Sequence, residues 1–217
     1  MKEKNGFTII ELIITIALIL IVILMYVNNM EGVKRSQENV AYTRLINKIN
    51  VASSSYVSSN IAYNNELRYG RGFVKLKIQE LIENGYLDKD TIDPRDGNPI
   101  NRNELALLTL NCSGELEHKF PLEETDDNIY FVESTPLVVN EMPDNPYINL
   151  NTIGLRMLSE KGNQITLKTN SNLATPGDIV VASRTYNTYA PGVYQITYNY
   201  IDNNGICRVH YREVIMY

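Results

Sequence analysis

Apolar residues are concentrated at the start of the chain. From Phe7 to Val27 the sequence is apolar except for one charged side chain, Glu11, and a few small polar residues. A helix rises by about 1.5 Å per residue, so this run would reach roughly 31 Å, the thickness of a bilayer's hydrocarbon core. Lys2 and Lys4 precede it, which predicts a cytoplasmic N-terminus. The pattern predicts a membrane-spanning helix over residues 7–27, with the rest of the chain outside.

Beyond residue 27 the pattern changes to that of an amphipathic helix, which we predict to continue to about residue 57. Measured from Phe7, this helix would be ~75 Å long. Apolar or aromatic residues recur on one face and charged residues occupy the others: Tyr42, Leu45, Ile46, Ile49, Ala52 and Tyr56 against Lys34, Arg35, Glu38, Arg44 and Lys48. A second helix is predicted over residues 73–87, where Asn84 and Gly85 supply a stop signal.

From residue 100 onward the sequence has the character of β-strands. Short runs rich in Val, Ile, Thr and Tyr are separated by Gly, Pro, Asn and Asp. They are LALLTL (105–110), NIYFVE (128–133), QITLKT (164–169), DIVVASR (178–184) and VYQITYNY (193–200). Asn204 and Gly205 predict a tight turn that joins the last run to the C-terminal residues as an antiparallel hairpin. The predicted fold is α+β, with an antiparallel meander packed on the amphipathic half of the long helix.

Composition argues against several classes of function. The net charge of −5 gives no positive field that would gather nucleic acid, so no nucleic-acid partner is expected. His118 and His210 are the two histidines, and neither has the neighbours of a catalytic triad or a metal site. We expect both to be surface or strand residues. With no phosphate-binding glycine loop either, we predict that the protein is not an enzyme and has no cofactor.

The cysteines and one turn leave alternatives open. Cys112 and Cys207 lack CxxC spacing, so they either pair with each other outside the cell or remain buried thiols. Asp93, Asp96 and Asn98, in a segment dense in turn formers, offer oxygen ligands for calcium. Their order does not match an EF-hand loop, and the alternative is that they are solvated turn residues.

The apolar run alone also fits a secretory signal peptide or a simple anchor for an external domain. A signal peptide has an apolar core of ~7–15 residues followed by a cleavage site with small residues. Here the run is longer, and the polar and bulky residues Asn28, Asn29 and Met30 follow it. These features disfavour a signal peptide and leave the simple anchor as the alternative.

Three residues at the start of the run point to a more specific interpretation. Gly6 directly precedes the run, Phe7 opens it, and Glu11 lies four residues later, within GFTIIEL. This segment resembles the signal of the type IV prepilin family, in which a short basic leader ends in Gly and is followed by Phe-Thr-x-x-Glu and an apolar stretch. The resemblance implies that prepilin peptidase cuts between Gly6 and Phe7 and N-methylates Phe7.

The same resemblance assigns a role to Glu11. A carboxylate in a membrane span costs about 2.5–3.5 kcal/mol at the bilayer centre, so it requires a partner or a functional reason. Two unit charges ~4 Å apart attract by about 4 kcal/mol at an effective dielectric constant of ~20. In the family the acid is thought to pair with the terminal amine of a neighbouring subunit, here that of Phe7. The alternative is an interfacial Glu11 that reaches back to water.

A second segment, ENGYLDKDTIDPRDGNPI (83–100), is similar to a passage found in Gram-positive pilins and secretion pseudopilins. One feature departs from the family pattern. Many relatives have a proline within the long helix, whereas no proline precedes Pro94 here. Asn28, Asn29 and Gly32 are the weak helix formers instead.

The sequence therefore predicts a pilin-like subunit with a leader (1–6), a transmembrane and assembly helix (7–27), its amphipathic continuation (28–60) and a globular α+β part (61–217). We expect a structural pilin, whose size favours the minor class, held first in the cytoplasmic membrane and then in an extracellular filament. Its partners would be other pilins, prepilin peptidase, the lipid bilayer, and a membrane platform with an assembly ATPase. A pseudopilin of a secretion or DNA-uptake machine and a monomeric anchored binding domain are the alternatives. Roles in adhesion or motility are left open.

Overall fold

The computed structural model describes residues 9–122, 129–139, 154–185 and 191–217. Within the first helix it describes the side chains of residues 14, 16–21, 23 and 36–59. In chain order the elements are α1 (Ile9–Ser59), α2 (Ile61–Arg68), β1 (Phe73–Lys77), α3 (Ile78–Glu83), β2 (Leu105–Leu110), β3 (Leu116–Lys119), β4 (Tyr130–Glu133), β5 (Leu137–Val139), β6 (Arg156–Ser159), β7 (Gln164–Ile165), β8 (Lys168–Thr169), β9 (Asp178–Arg184), β10 (Gly192–Ile201) and β11 (Cys207–Met216). The α+β class is confirmed.

The chain divides into two compact units. Unit 1 comprises residues 1–47 and 92–100, and unit 2 comprises residues 48–91 and 101–217. All of the strands β1–β11 and the main apolar cluster belong to unit 2.

The burial of α1 follows the predicted amphipathic pattern in both units. Leu45 is buried in unit 1, and Ile49 and Ala52 are buried in unit 2, whereas Arg44 and Lys48 are exposed. The predicted face also includes half-buried aromatic and aliphatic positions: Tyr42, Ile46 and Tyr56. The 3.6-residue period of the sequence thus identifies the buried side of this part of the helix.

The sequence did not predict α2, which begins after a single non-helical residue. Asn60 adopts an extended backbone conformation, and its Oδ1 accepts hydrogen bonds from the N–H groups of Ala62 and Tyr63. An asparagine that satisfies the free N–H groups of the following turn is a favoured N-cap. Asn60 therefore ends one helix and starts the next.

The predicted helix over residues 73–87 is wrong in its first part. Phe73–Lys77 forms strand β1, and only Ile78–Glu83 is helical. β1 pairs antiparallel with β2, with Phe73 opposite Thr109 and Lys77 opposite Leu105. The alternation of apolar and lysine residues in this segment fits a strand period of two, and pairing with β2 decides between the two periods.

The strands form three sheets rather than one meander. Their orders are β1-β2-β3, β5-β11-β10-β9-β8 and β4-β6-β7. Most pairs are antiparallel, but β11 with β5 and β8 with β9 are parallel. The predicted run 164–169 is split, because its first residues join β6 and its last residues join β9.

The hairpin of β10 and β11 is the longest pairing in the described chain. Its register runs from Gly192 opposite Met216 to Ile201 opposite Cys207, as an antiparallel ladder. The turn is longer than the predicted two-residue type. Gly205 has a φ of 78°, and the side chain of Asp202 accepts hydrogen bonds from the N–H groups of Asn204 and Ile206. Glycine at this left-handed position lets the loop close without strain.

The main apolar cluster of unit 2 joins the five-stranded sheet to the β4-β6-β7 sheet. Alternate residues of β10 and β11 point into it, as the period of two in a strand requires. Its buried members are Val132, Leu155, Met157, Ile179, Ile196, Tyr198, Tyr200, Val214 and Met216.

A disulfide and an arginine connect the start of β11 to the β2–β3 hairpin. Cys112, in the β2–β3 turn, is bonded to Cys207, with their Cα atoms 5.4 Å apart. The neighbouring Arg208 is largely buried, and its Nη1 donates hydrogen bonds of 2.6 Å to Thr109 and to Glu117. Its Nε donates to Asp202 at 3.1 Å. These contacts compensate the arginine for its lost hydration and tie two sheets together.

Removing the disulfide should destabilise the protein. It closes a loop with a sequence separation of 95 residues, and loss of such a bridge costs about 2–5 kcal/mol, in part because the unfolded chain gains freedom. The Cys112→Ser/Cys207→Ser double variant should therefore unfold at lower denaturant concentration than the wild-type full chain in detergent micelles. Wild-type protein treated with a thiol reductant is the control and should match the double variant. An unchanged unfolding midpoint would contradict the assignment.

Candidate functional site

The residues of the N-terminal motif lie mainly outside the described part of the chain. Gly6 and Phe7, the predicted cleavage pair, fall outside the described residues. Glu11 lies within the backbone of α1, but its side chain falls outside the description. The cleavage, methylation and charge pairing assigned to these three residues therefore remain predictions.

The following turns of α1 carry an exposed apolar surface. The described isoleucine and leucine side chains between residues 14 and 23 are 49–59% exposed: Ile14, Ile16, Leu18, Ile19, Leu20, Ile21 and Ile23. Single exposed apolar residues are ordinary, but a group of exposed apolar side chains on neighbouring turns marks an interaction surface or a site for lipid. No helix among the described residues meets the length and hydropathy of a membrane span.

In unit 1, the segment 92–100 is folded around its own side chains. The guanidinium of Arg95 donates three hydrogen bonds to the Asp93 carboxylate, at 2.5–3.1 Å, and lies 3.9 Å from the ring centroid of Tyr42. The Asp96 carboxylate accepts a hydrogen bond from the N–H of Asn98. These bonds, from Arg95 and from the Asn98 N–H respectively, lower the pKa of the Asp93 and Asp96 carboxyls.

These contacts bear on the calcium candidates Asp93, Asp96 and Asn98. Asp93 is committed to a cation of its own chain, and Asp96 is engaged by a backbone N–H group. Across the described residues, no three His, Cys, Asp or Glu side chains are grouped so that they could hold a metal ion. The arrangement is that of a self-paired turn.

The two histidines lie on strands of unit 2, and each contacts a serine. His118 Nε2 is 2.6 Å from Ser54 Oγ, and burial lowers its pKa. His210 Nε2 is 2.7 Å from Ser134 Oγ, and His210 is only 4% exposed, so it is not a surface residue. Burial, followed by the charge of nearby Arg212, lowers the pKa of His210 to about 4. At neutral pH its imidazole is uncharged, which suits a core position.

Neutral His210 should make stability depend on pH. In the unfolded chain its pKa is near 6.5, so below that pH the unfolded state binds more protons than the folded state. Stability should therefore fall as the pH drops from about 6.5 towards 4, by on the order of 1–2 kcal/mol between pH 6.5 and 5. Denaturant unfolding of the full chain at several pH values in this interval measures the slope, which is the change in the free energy of unfolding per pH unit.

Two variants distinguish His210 from other groups. His210→Gln keeps a hydrogen-bonding group near Ser134 but removes the titration, so its slope between pH 6.5 and 5 should be clearly smaller than in the wild type. His118→Gln is the matched control on the less buried histidine and should retain most of the slope. Equal slopes in all three proteins would refute the assignment to His210.

Comparison with known families adds the decisive information on the N-terminus. Residues 1–27 match the prokaryotic N-terminal methylation motif, which is the prepilin signal of type IV pilins and pseudopilins. No curated protein and no solved structure matches the chain. The resemblance found in the sequence is thus confirmed: the chain carries the signal of a type IV pilin-like or pseudopilin protein. That signal implies processing by prepilin peptidase, assembly with other pilins and a structural rather than an enzymatic role.

Proposed function

We propose that this protein is a structural subunit of a type IV pilus, cleaved between Gly6 and Phe7, N-methylated at Phe7 and polymerised through its N-terminal helix. The observation that carries the proposal is the prepilin signal at residues 1–27. It combines a short leader, a glycine at the cut and a glutamate in the fifth position after it, so its chance occurrence at a chain start is rare.

The exposed apolar surface of α1 supports the same proposal. Side chains about half exposed between Ile14 and Ile23 lose contact with water only if lipid or neighbouring helices cover them. Before assembly the bilayer would provide that cover. In a filament the helices of neighbouring subunits would provide it, so that a subunit passes from one apolar environment to another with little cost.

Within this proposal Glu11 sets the position of each incoming subunit. Its carboxylate gains about 4 kcal/mol from an amine ~4 Å away at an effective dielectric of ~20, which roughly cancels the cost of its burial. Apolar contacts between helices tolerate sliding, whereas a single charge pair does not. The pair therefore fixes the axial register, and Phe7 of the neighbouring subunit supplies the amine.

A pseudopilin of a secretion or DNA-uptake machine is the second candidate, because pseudopilins share the same N-terminal signal. Such a subunit would use the same cleavage and the same charge pair. The two candidates differ in the length of the filament that forms, which electron microscopy of producing cells measures directly.

The first test of the proposal is the mass of the mature protein. Protein extracted from membranes or filaments should begin at Phe7 and be heavier by one methyl group than the unmodified chain. Intact-mass analysis reports both changes. In a Gly6→Leu variant the larger side chain should hinder entry of the extended backbone into the peptidase, and the leader should be retained. Wild-type protein that still carries residues 1–6 would overturn the proposal.

The second test removes the charge on which register depends. Incorporation of Glu11→Ala into filaments should fall at least about tenfold, which corresponds to about 1.4 kcal/mol of lost pairing. Glu11→Asp keeps the charge on a shorter side chain and should retain part of the wild-type incorporation into filaments. Filament yield by shearing and immunoblotting measures both.

Glu83→Ala provides the matched control for a lost carboxylate, since Glu83 is an exposed residue of α3 outside the N-terminal helix. This variant should assemble normally. In detergent, all variants should unfold at the same denaturant concentration as the wild type, which would show that reduced assembly is not caused by a folding defect. Filament yields of Glu11→Ala equal to those of the wild type would refute the role of Glu11 while leaving leader cleavage to be judged by mass.

A further inference from the structure

Unit 2 contains a surface cavity of about 510 Å³ that the assembly proposal does not use. Its volume lies within the range of small-molecule sites, about 300–1,000 Å³. The residues that matter for its chemistry are Tyr69, Thr185, Tyr194, Gln195, Tyr211 and Glu213. The cavity therefore combines aromatic surfaces with a few polar groups and one acid.

Strand register explains how its floor is built. Gln195 on β10 lies directly opposite Glu213 on β11, and Tyr211 lies opposite Thr197. Because side chains alternate along a strand, these residues share the face opposite Ile196 and Val214, which are buried in the core. Gln195, Tyr211 and Glu213 thus lie on the face of the β10–β11 hairpin that points away from the apolar cluster, whereas Tyr194 of the cavity lining packs against that cluster.

One edge of this floor is held in place by hydrogen bonds with Thr185, the residue that follows β9. The backbone N–H of Gln195 donates to Thr185 Oγ1 at 2.8 Å, and the N–H of Thr185 donates to the carbonyl of Gln195 at 3.0 Å. The hydroxyl of Thr185 is therefore already used, while the strand carrying Gln195 is fixed. Ser134, another residue of the cavity lining, is likewise engaged by His210.

Glu213 is the charged member of the cavity wall. Within the part of the chain that the structure describes, its carboxylate has no hydrogen bond and no ion pair, and the residue is exposed. An acid beside tyrosine rings is the arrangement that attracts an organic cation, through Coulomb attraction and cation–π contact.

We propose that this cavity binds a small alkylammonium ligand, with Glu213 as its counter-ion and Tyr69 and Tyr211 as its aromatic walls. The neutral polar lining at Gln195 can accept a hydrogen bond from a hydroxyl or N–H group of such a ligand. Binding of this ligand is separate from assembly and does not rest on the proposed filament function.

The test uses choline as the probe and 3,3-dimethyl-1-butanol, its uncharged isostere, as the comparison. The full-length protein is kept in a maltoside detergent, which has no choline head group. Ligand-observed NMR titration should show saturable binding of choline and at least tenfold weaker binding of the alcohol. Binding of choline should weaken at least tenfold in Glu213→Gln.

Three further variants check the site. Glu83→Gln removes the same charge from exposed helix α3, away from the cavity, and should bind choline as the wild type does. Tyr69 is 60% exposed, so Tyr69→Ala should fold normally and weaken binding about twofold to fivefold, whereas Tyr69→Phe keeps the ring and the affinity. Equal binding of choline and its isostere, insensitivity to Glu213→Gln, or no saturable binding of choline would each overturn the proposal.

Discussion

The pairing of β10 with β11 is the interaction on which the rest of unit 2 depends. Its ladder from Gly192 to Ile201 fixes which residues of both strands face the core and which face solvent. A slip of one residue would turn Ile196 and Val214 outward and bring polar Gln195 and Glu213 inward. The apolar cluster on one face, and the cavity residues Gln195, Tyr211 and Glu213 on the other, are therefore two results of the same register.

Unit 2 and the N-terminal run meet opposite physical demands. Unit 2 holds a buried apolar cluster between its strands and a covalent bridge. The apolar residues from Ile14 to Ile23 are about half exposed in the single chain. The exposed apolar residues thus lie in the segment that carries the prepilin signal, and the buried apolar cluster lies in unit 2.

The sequence predicted features that depend on local pattern. The buried face of α1, strand β9 with the bounds Asp178–Arg184, and the pairing of the last two strands all follow from periods of 3.6 and two. The sequence-based prediction was wrong where pairing with a distant segment determines the secondary structure. Phe73–Lys77 is a strand because β2 lies beside it, and residues 164–169 divide because two sheets compete for them. The cavity could be found only by folding, since its walls come from positions as distant as Tyr69 and Glu213. The N-terminal motif is the reverse case, because a short signal identifies it without any tertiary structure.

The bridge between Cys112 and Cys207 turns a large part of unit 2 into a covalent ring. When such a chain is pulled by its two ends, the backbone within the ring cannot be drawn out even after every hydrogen bond has broken. At about 3.4 Å per extended residue, a ring of this size withholds roughly 320 Å of contour length. Under tension the chain can therefore lengthen only through the segments outside the ring, and a released load allows the ring to refold from a restricted set of conformations.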